Sequence, residues 1–313
     1  METMMTAKLY FIAPFFLIGC ALSNANNSDN YHYNSSLAET FDYCNWVLTE
    51  DGETTELPFF KVSVSPEVYR TSPDEHSEAL VKAGTGIARN ASSTDACQAI
   101  FTKGQNKFET ELEASLKKHW TLAKYEKSED KTIADVQAEM AIHWVNDQAA
   151  RRVYIASKTD DKTGADYWTR SLTRAHTSKM DAQSTEFMKN LLNKYDWIDR
   201  NRFGDRVSMA AWLLVQHADD HVELQSLALS RMEPYLKTGG VSKSNYAFLW
   251  DRVAVNSGEK QRYGTQPTWE CTAEGKLTLQ PLEDPDNVNA RRKTMGLGSV
   301  EDGLEDMARN VCR

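Results

Sequence analysis

Basic residues are in the minority in this chain, with 36 lysines and arginines against 45 aspartates and glutamates and a net charge of −9. A protein of this charge has no basic surface for nucleic acid or for anionic lipid headgroups. The Gly-x-Ser-x-Gly sequence, which presents the nucleophilic serine of α/β-hydrolases, is also missing. We therefore expect no nucleic-acid partner and no serine-hydrolase chemistry of that kind.

Cysteine is scarce, with five residues in 313. Apart from Cys20, the cysteines are Cys44, Cys97, Cys271 and Cys312. An even number in an exported chain is typical of disulfides, and we favour the pairs Cys44–Cys97 and Cys271–Cys312, each within one half of the chain. Free buried thiols are the alternative, because spacing alone does not establish pairing. Paired cysteines would leave no thiol for a nucleophilic role.

The N-terminal apolar segment, residues 9–19, is too short to cross a bilayer. It follows a short region whose only basic residue is Lys8, a layout typical of a secretory signal peptide over residues 1–19. The segment ends in Leu17-Ile18-Gly19-Cys20, which resembles the bacterial lipobox. That resemblance implies cleavage before Cys20 and lipidation of its side chain. The alternative is ordinary cleavage after Ala25.

The lipobox implies where the protein resides. The lipid on Cys20 would anchor the protein in a lipid bilayer of the cell envelope, with its body facing the periplasm. Ala21 and Leu22 follow Cys20, without the aspartate that retains lipoproteins at the inner membrane, so we expect the outer membrane. If cleavage follows Ala25 instead, the protein is soluble in the periplasm or secreted.

The pattern along the chain predicts a mainly α protein, a multi-helix bundle with two small β-hairpins. Residues 20–36, rich in Asn and Ser, form a flexible tether; residues 37–130 hold the first hairpin and helices; residues 131–313 form a helical domain with a C-terminal hairpin. The hairpins are expected at 43–64, turning at Asp51-Gly52, and at 265–282, turning at Glu274-Gly275. The predicted helices are 75–88, 93–123, 131–157, 179–195, 207–229, 241–256 and 288–295.

The most unusual predicted helix is 207–229. One face carries apolar residues and then polar ones at helical spacing: Met209, Trp212, Leu213, Gln216, His217 and Asp220. The first half of the helix is apolar on nearly every side, so we expect it to be buried. Gln216 and His217 would then lie in apolar surroundings and need hydrogen-bond partners.

Three polar segments elsewhere supply candidate partners. Asp147-Gln148-x-x-Arg151 places an acid and a base four residues apart on one helix face. Asp251-Arg252 follows an aromatic run on another helix. Tyr263-Gly264-Thr265-Gln266 reads as a polar loop in which glycine permits close approach of the backbone.

Together these elements resemble an uncharacterised bacterial family, domain-of-unknown-function family 6624. The resemblance covers about residues 135–304 and rests on Asp147-Gln148-x-x-Arg151, Gln216-His217-Ala218-Asp219, Asp251-Arg252-Val253, Gln261-Arg262-Tyr263-Gly264-Thr265-Gln266 and Val288-x-x-Arg291-Arg292-x-x-x-Gly296-Leu297. It implies a shared fold and a shared site, and it implies no reaction. Family members often read His-Ala-Asp-His-Asp, whereas this chain has His217-Ala218-Asp219-Asp220-His221.

The first functional interpretation is metal-free acid/base catalysis, the hydrolysis or lysis of a polar envelope substrate. The candidate catalytic residues are His217, Asp147, Asp251 and Tyr263. The candidate binding residues are Gln148, Arg151, Gln216, Arg252, Gly264, Thr265 and Gln266. In this interpretation a carboxylate orients His217, an arginine binds an anionic group, and the loop donates to an oxyanion.

The second interpretation is structural. The same residues would form a packed polar network, and the protein would act by binding a small molecule or an envelope protein. We expect no cofactor and no metal. The spacing of His217 and His221 resembles a zinc-binding pair on a helix, but no third ligand is evident.

Lipidation at Cys20 is the first testable expectation. Mass spectrometry of the mature N-terminus should find a chain that begins at a lipid-modified Cys20. A mature chain that begins at Asn26 without lipid would show that the lipobox resemblance is misleading.

Overall fold

The computed structural model describes residues 32–33, 60–61, 94–156 and 164–312. These residues confirm the mainly α class. Their helices are α1 (Thr94–Leu122), α2 (Lys131–Ala156), α3 (Gly164–Lys194), α4 (Arg200–Phe203), α5 (Asp205–Gln216), α6 (Val222–Met232), α7 (Lys243–Asn256), α8 (Val288–Thr294) and α9 (Val300–Val311). No helix in this part of the chain has both the length and the hydropathy that a bilayer crossing requires.

The described strands form two antiparallel pairs. Strands β3 (Pro267–Cys271) and β4 (Leu277–Leu279) form the predicted C-terminal hairpin. Its turn contains Gly275 with a φ of 70°, a conformation that favours glycine. Strands β1 (His32–Tyr33) and β2 (Phe60–Lys61) also pair. Strand β1 lies within the segment predicted as a flexible tether, whose other residues lie outside the described part of the chain, so the tether stays a prediction. The predicted partner segment 43–49 lies outside the described residues.

Helices α1, α2, α7 and α8 lie close to their predicted bounds, but other parts of the chain differ. Helix α3 begins at Gly164, well before 179, and α4 and α9 were not predicted. Among the described side chains at the start of α3, those of Asp166, Thr169 and Thr173 are buried although they are polar, so apolar periodicity alone does not predict this part of the helix. Thr169 donates to the carbonyl of Gly104 in α1 at 2.9 Å, and Thr173 is fully buried. The predicted helix 75–88 lies outside the described residues.

The predicted helix 207–229 is two helices, so that prediction is wrong. Helix α5 ends at Gln216 and α6 begins at Val222. The Gln225 side-chain amide donates to the carbonyls of Val215 at 3.2 Å and Gln216 at 3.4 Å, in the last turn of α5, where the helix supplies no donor four residues on. The N–H of Ala218 also donates to Val215, at 3.1 Å. A contact from α6 back to the end of α5 therefore stabilises the break.

The buried face of α5 also differs from the predicted stripe. Met209 is 45% exposed, whereas Ala210, Ala211 and Leu214 are buried. Both stripes have helical spacing, and the one that contains alanines faces α2. Small side chains let two helix backbones approach closely, so this face packs inward.

The main core lies between α2, the C-terminal half of α3, α5 and α6. Its most completely buried members include Met140, Leu192, Ile198, Phe203 and Leu214. This packing brings the C-terminal end of α5 against the middle of α2 and α3. That position is where polar side chains collect.

The predicted Cys271–Cys312 disulfide is present. It joins β3 to the residue after α9, with a Cα–Cα distance of 5.6 Å. The predicted Cys44–Cys97 pair remains a prediction, because Cys44 lies outside the described residues.

Removing the Cys271–Cys312 bond should destabilise the fold. The bond closes a loop with a sequence separation of 41 residues. Loss of such a cross-link lowers the free energy of unfolding by about 2–4 kcal/mol. We expect this decrease when urea unfolding of the Cys271→Ser/Cys312→Ser variant is compared with that of the oxidised wild type. Equal midpoints and equal slopes would contradict the expectation.

Candidate functional site

His217 lies at the exit of α5, directly after its last residue. Its backbone N–H still donates to the carbonyl of Leu213 at 3.0 Å, while Ala218 and Asp219 turn away from the helix axis. The side chain points inward, toward α2, and is 17% exposed. The helix end therefore directs His217 into the bundle while leaving part of the ring accessible.

Asp147 on α2 is the direct partner of His217. Its Oδ1 lies 2.8 Å from His217 Nδ1 and accepts a hydrogen bond from Arg151 Nε at 3.0 Å. Its Oδ2 accepts from Gln148 Nε2 at 2.7 Å. The side chain is 1% exposed. These contacts confirm the expectation that His217 faces inward and reaches Asp147 or Arg151.

The proton positions on His217 follow from these distances. Arg151 Nε also lies 2.9 Å from His217 Nδ1, and the guanidinium is always protonated. If Nδ1 carried no hydrogen, its lone pair would face the Asp147 carboxylate at 2.8 Å. The Arg151 Nε–H lies between Asp147 Oδ1 at 3.0 Å and His217 Nδ1 at 2.9 Å and is placed to donate to either. Donation from Nδ1–H to Asp147 defines the tautomer in which that repulsion is absent. The lone pair of the neutral ring is then on Nε2.

The ionisation of this pair is set by burial and by hydrogen bonds. Burial lowers the pKa of His217, although Asp147 opposes the shift, so the ring is neutral near pH 7. Burial disfavours the charge on Asp147, but His217, Arg151 and Gln148 outweigh it and hold the pKa of that carboxyl at about 2. The pair is therefore a carboxylate and a neutral imidazole, the forms that a general base requires.

Asp181 on α3 belongs to the same cluster. Arg151 Nη2 donates to Asp181 Oδ1 at 2.6 Å, so one guanidinium links two carboxylates. We did not predict Asp181. It is one acidic residue on a strongly polar helix, and the sequence gives no signal that separates it from its neighbours.

A second group of contacts fixes the turn after His217. Arg252 on α7 donates to both carboxylate oxygens of Asp219, from Nε at 2.8 Å and from Nη2 at 2.9 Å. Its Nη1 donates to Gln266 Oε1 at 3.1 Å. Asn256 Nδ2 also donates to Asp219, at 3.1 Å. All three nitrogens of Arg252 are engaged, so the expected binding of an anionic group by Arg252 is not supported.

Asp251 holds the polar loop rather than His217. Its Oδ1 accepts from the backbone N–H groups of Arg262 at 2.7 Å and Tyr263 at 2.9 Å. Its Oδ2 accepts from the N–H of Thr265 at 2.8 Å and from the Thr265 hydroxyl at 2.9 Å. The side chain is fully buried. Asp147, not Asp251, is therefore the carboxylate that orients His217.

The loop residues are themselves tightly held. Tyr263 is buried and packs edge-on against Trp250, with ring centroids 6.0 Å apart. Arg292 Nη1 donates to the carbonyls of Tyr263 at 2.8 Å and Gly264 at 3.0 Å. Gly264 has a φ of 64°, and a Cβ there would lie 3.2 Å from Val300. Among the contacts described, none joins Tyr263 to His217.

Gln266 and Gln216 complete the predicted binding set. The Gln266 amide donates toward the carbonyl of Phe248 at 3.4 Å and the Thr265 hydroxyl at 3.1 Å. Gln216 is buried, and within the described part of the chain its Oε1 has no hydrogen-bond partner. Gln266 thus links Arg252 to the loop, whereas Gln216 lies beside His217 with an unmatched acceptor.

The cluster has donor atoms for a cation, but Arg151 already supplies the positive charge. One atom each of Asp147, Asp181 and His217 lies within 4.8 Å of the others. A metal ion would have to compete with the guanidinium that bridges the two carboxylates. His221 lies beyond the helix break and contacts Glu223 at 3.1 Å, so the comparison with a zinc-binding histidine pair on one helix does not apply.

A surface cavity of about 570 Å³ lies elsewhere, on α1. It is lined by Asp95, Ala99, Thr102, Lys103 and Asn106. None of the predicted site residues lines this cavity. It therefore adds no support to a catalytic role for His217.

The chain belongs to a family of unknown function, DUF6624, whose model matches residues 134–309. This membership confirms the resemblance seen in the sequence. No curated protein and no solved structure matches the chain. The family elements coincide with the polar contacts described above, but the family supplies no reaction.

Loss of the Asp251 carboxylate should destabilise the fold. Asp251→Ala leaves three buried N–H groups and a hydroxyl without their acceptor. Each such group costs about 1–3 kcal/mol, so we expect the free energy of unfolding to fall by more than about 3 kcal/mol. Asp196→Ala is the control, because Asp196 is 80% exposed in its ion pair with Arg231. Urea unfolding measures both, and equal losses would refute the loop-holding role.

Proposed function

We propose that this protein is an exported bacterial lipoprotein, anchored through Cys20, whose body carries a metal-free acid/base site at His217. The site would hydrolyse or lyse a polar substrate of the cell envelope. The carrying observation is the 2.8 Å contact between His217 Nδ1 and Asp147 Oδ1, which directs the Nε2 lone pair away from the carboxylate. Among the described residues, Nε2 has no hydrogen-bond partner.

The proposed location agrees with the cysteine chemistry. The Cys271–Cys312 disulfide is of the kind that forms in an oxidising compartment such as the periplasm. The lipid bilayer would be a partner through Cys20, and we place the anchor in the outer membrane. A soluble periplasmic or secreted form is the alternative.

The structural interpretation also has a specific observation in its favour. Asp251 accepts four hydrogen bonds from the polar loop, and all three nitrogens of Arg252 donate to groups of the protein. These residues connect α7, the turn after α5 and the loop before β3. In that alternative the cluster only holds helices together, and the protein acts by binding an envelope protein or a small molecule.

The substitution His217→Asn separates the two proposals. Asparagine keeps a donor near Nδ1 for Asp147, but it has no counterpart of Nε2. Wild-type protein incubated with peptidoglycan, lipopolysaccharide and phospholipid vesicles should release products that mass spectrometry detects. We expect the variant to release at least about a hundredfold less, the lower range for a lost general base.

His221→Asn is the matched control. It is the same substitution four residues along, at a side chain whose contacts are with Glu223 and Lys189. This variant should keep wild-type product release. Equal release by all three proteins would contradict the catalytic role, and no release by wild type together with a less stable His217→Asn would favour the packed network.

A further inference from the structure

Asp181 is the carboxyl group of the cluster that the chemistry above leaves unused. Its side chain is 26% exposed, whereas that of Asp147 is 1% exposed. One oxygen of Asp181 lies within 4.8 Å of a ring nitrogen of His217. Asp181 is therefore close to His217 and is the carboxyl that a bound molecule can reach.

Two atoms of the cluster have open hydrogen-bonding capacity. Asp181 uses Oδ1 for Arg151, and in the described part of the chain Oδ2 has no partner. His217 uses Nδ1 for Asp147, and Nε2 likewise has none in that part. Asp147 uses both oxygens. A substrate would thus find one open carboxyl oxygen and one open imidazole nitrogen on two side chains of the same cluster.

The charges around Asp181 favour a proton on it. Asp147, Asp181 and Asp219 share two guanidinium groups, and Arg252 is fully engaged by Asp219 and Gln266. Asp147 has three donors, whereas Asp181 has one, from Arg151. Asp181 is therefore the least compensated of the three carboxylates.

The direction of its ionisation agrees with this arrangement. Burial raises the pKa of Asp181 to about 7, Arg151 opposes the shift, and the carboxylates of Asp147 and Asp219 add to it. The environments of the two groups thus move their proton affinities apart, and a protonated Asp181 is populated beside a neutral His217 near pH 7.

We propose that Asp181 is the proton donor of the site and works together with His217 as the proton acceptor. This rests on the proposed function. Water gives a proton to Nε2 while its oxygen forms a bond to an electrophilic carbon of the substrate. The bond from that carbon to a leaving oxygen breaks, and this oxygen takes the proton of Asp181. The proton on His217 then returns to Asp181 through solvent, which restores both groups.

The same geometry indicates the substrate class. Both guanidinium groups near the site are bound by carboxylates, so no free cation awaits an anionic group. The polar groups left open are His217 Nε2, which accepts a hydrogen bond, and the carboxyl group of Asp181. The reacting group of the substrate is therefore uncharged, an ester or a glycoside.

Carboxyl ¹³C NMR of the full chain tests the proton on Asp181 without a substrate. The groups that face Asp181 are Arg151 and Asp147 from α2, and His217 and Asp219 from the end of α5 and its turn. We expect one aspartate carboxyl to titrate near pH 7, to persist in His217→Asn and Asp196→Asn, and to vanish in Asp181→Asn. An Asp181 signal that titrates below about pH 5, the ordinary carboxyl range, would overturn the proposal.

Product release from the envelope fragments tests the catalytic part. Asp181→Asn should release at least about a hundredfold less than wild type, and wild-type release should fall above about pH 7, where the proton is lost. If Asp181→Asn releases as much product as wild type, Asp181 is not the proton donor, and the proposed role of His217 is unaffected. Absence of release by wild type itself would instead remove the proposed function, and the acid role with it.

Discussion

The placement of the Arg151 guanidinium between Asp147 and Asp181 is the interaction on which this site depends. An ionised Asp147 at this depth loses hydration, and the guanidinium offsets that cost while its Nη2 donates to Asp181. Because the three residues come from α2 and α3, these contacts also fix how the two helices meet. His217 can then lie against Asp147 as a neutral ring, since its partner keeps its negative charge.

Buried polar groups between the site and the C-terminus are likewise matched by partners from other elements. Asp219 is matched by Arg252, whose third nitrogen contacts Gln266, and the adjacent loop is held by Asp251 on one side and Arg292 on the other. Each family element supplies at least one residue to these contacts or to the cluster around His217, although the elements are far apart in sequence. Their occurrence as a set therefore has a physical reason: a change in one leaves a buried charge or carbonyl without its partner.

Local rules account for what the sequence predicted well. Gly275 marks the hairpin turn, Ser242 accepts from the N–H of Asn245 at the start of α7, and a buried histidine had to find a partner. Local sequence could not predict the break between α5 and α6 after Gln216, because side chains of α6 and α7 stabilise it. Periodicity also left two possible buried faces on α5, and packing against α2 selected the one with alanines.

Residues of this network differ in how many of their polar atoms remain without a partner. That difference distinguishes residues that stabilise the fold from residues that can react with a bound molecule. Asp251 accepts four hydrogen bonds within the protein and all three nitrogens of Arg252 donate to protein groups, so these contacts change only if the fold opens. His217 and Asp181 each keep one polar atom without a described partner while retaining 17% and 26% exposure of their side chains. A network that served only to join helices would gain nothing from leaving these two atoms at its accessible edge. Saturation of the surrounding groups instead gives the open pair a fixed geometry, which is what proton transfer to and from a bound molecule requires.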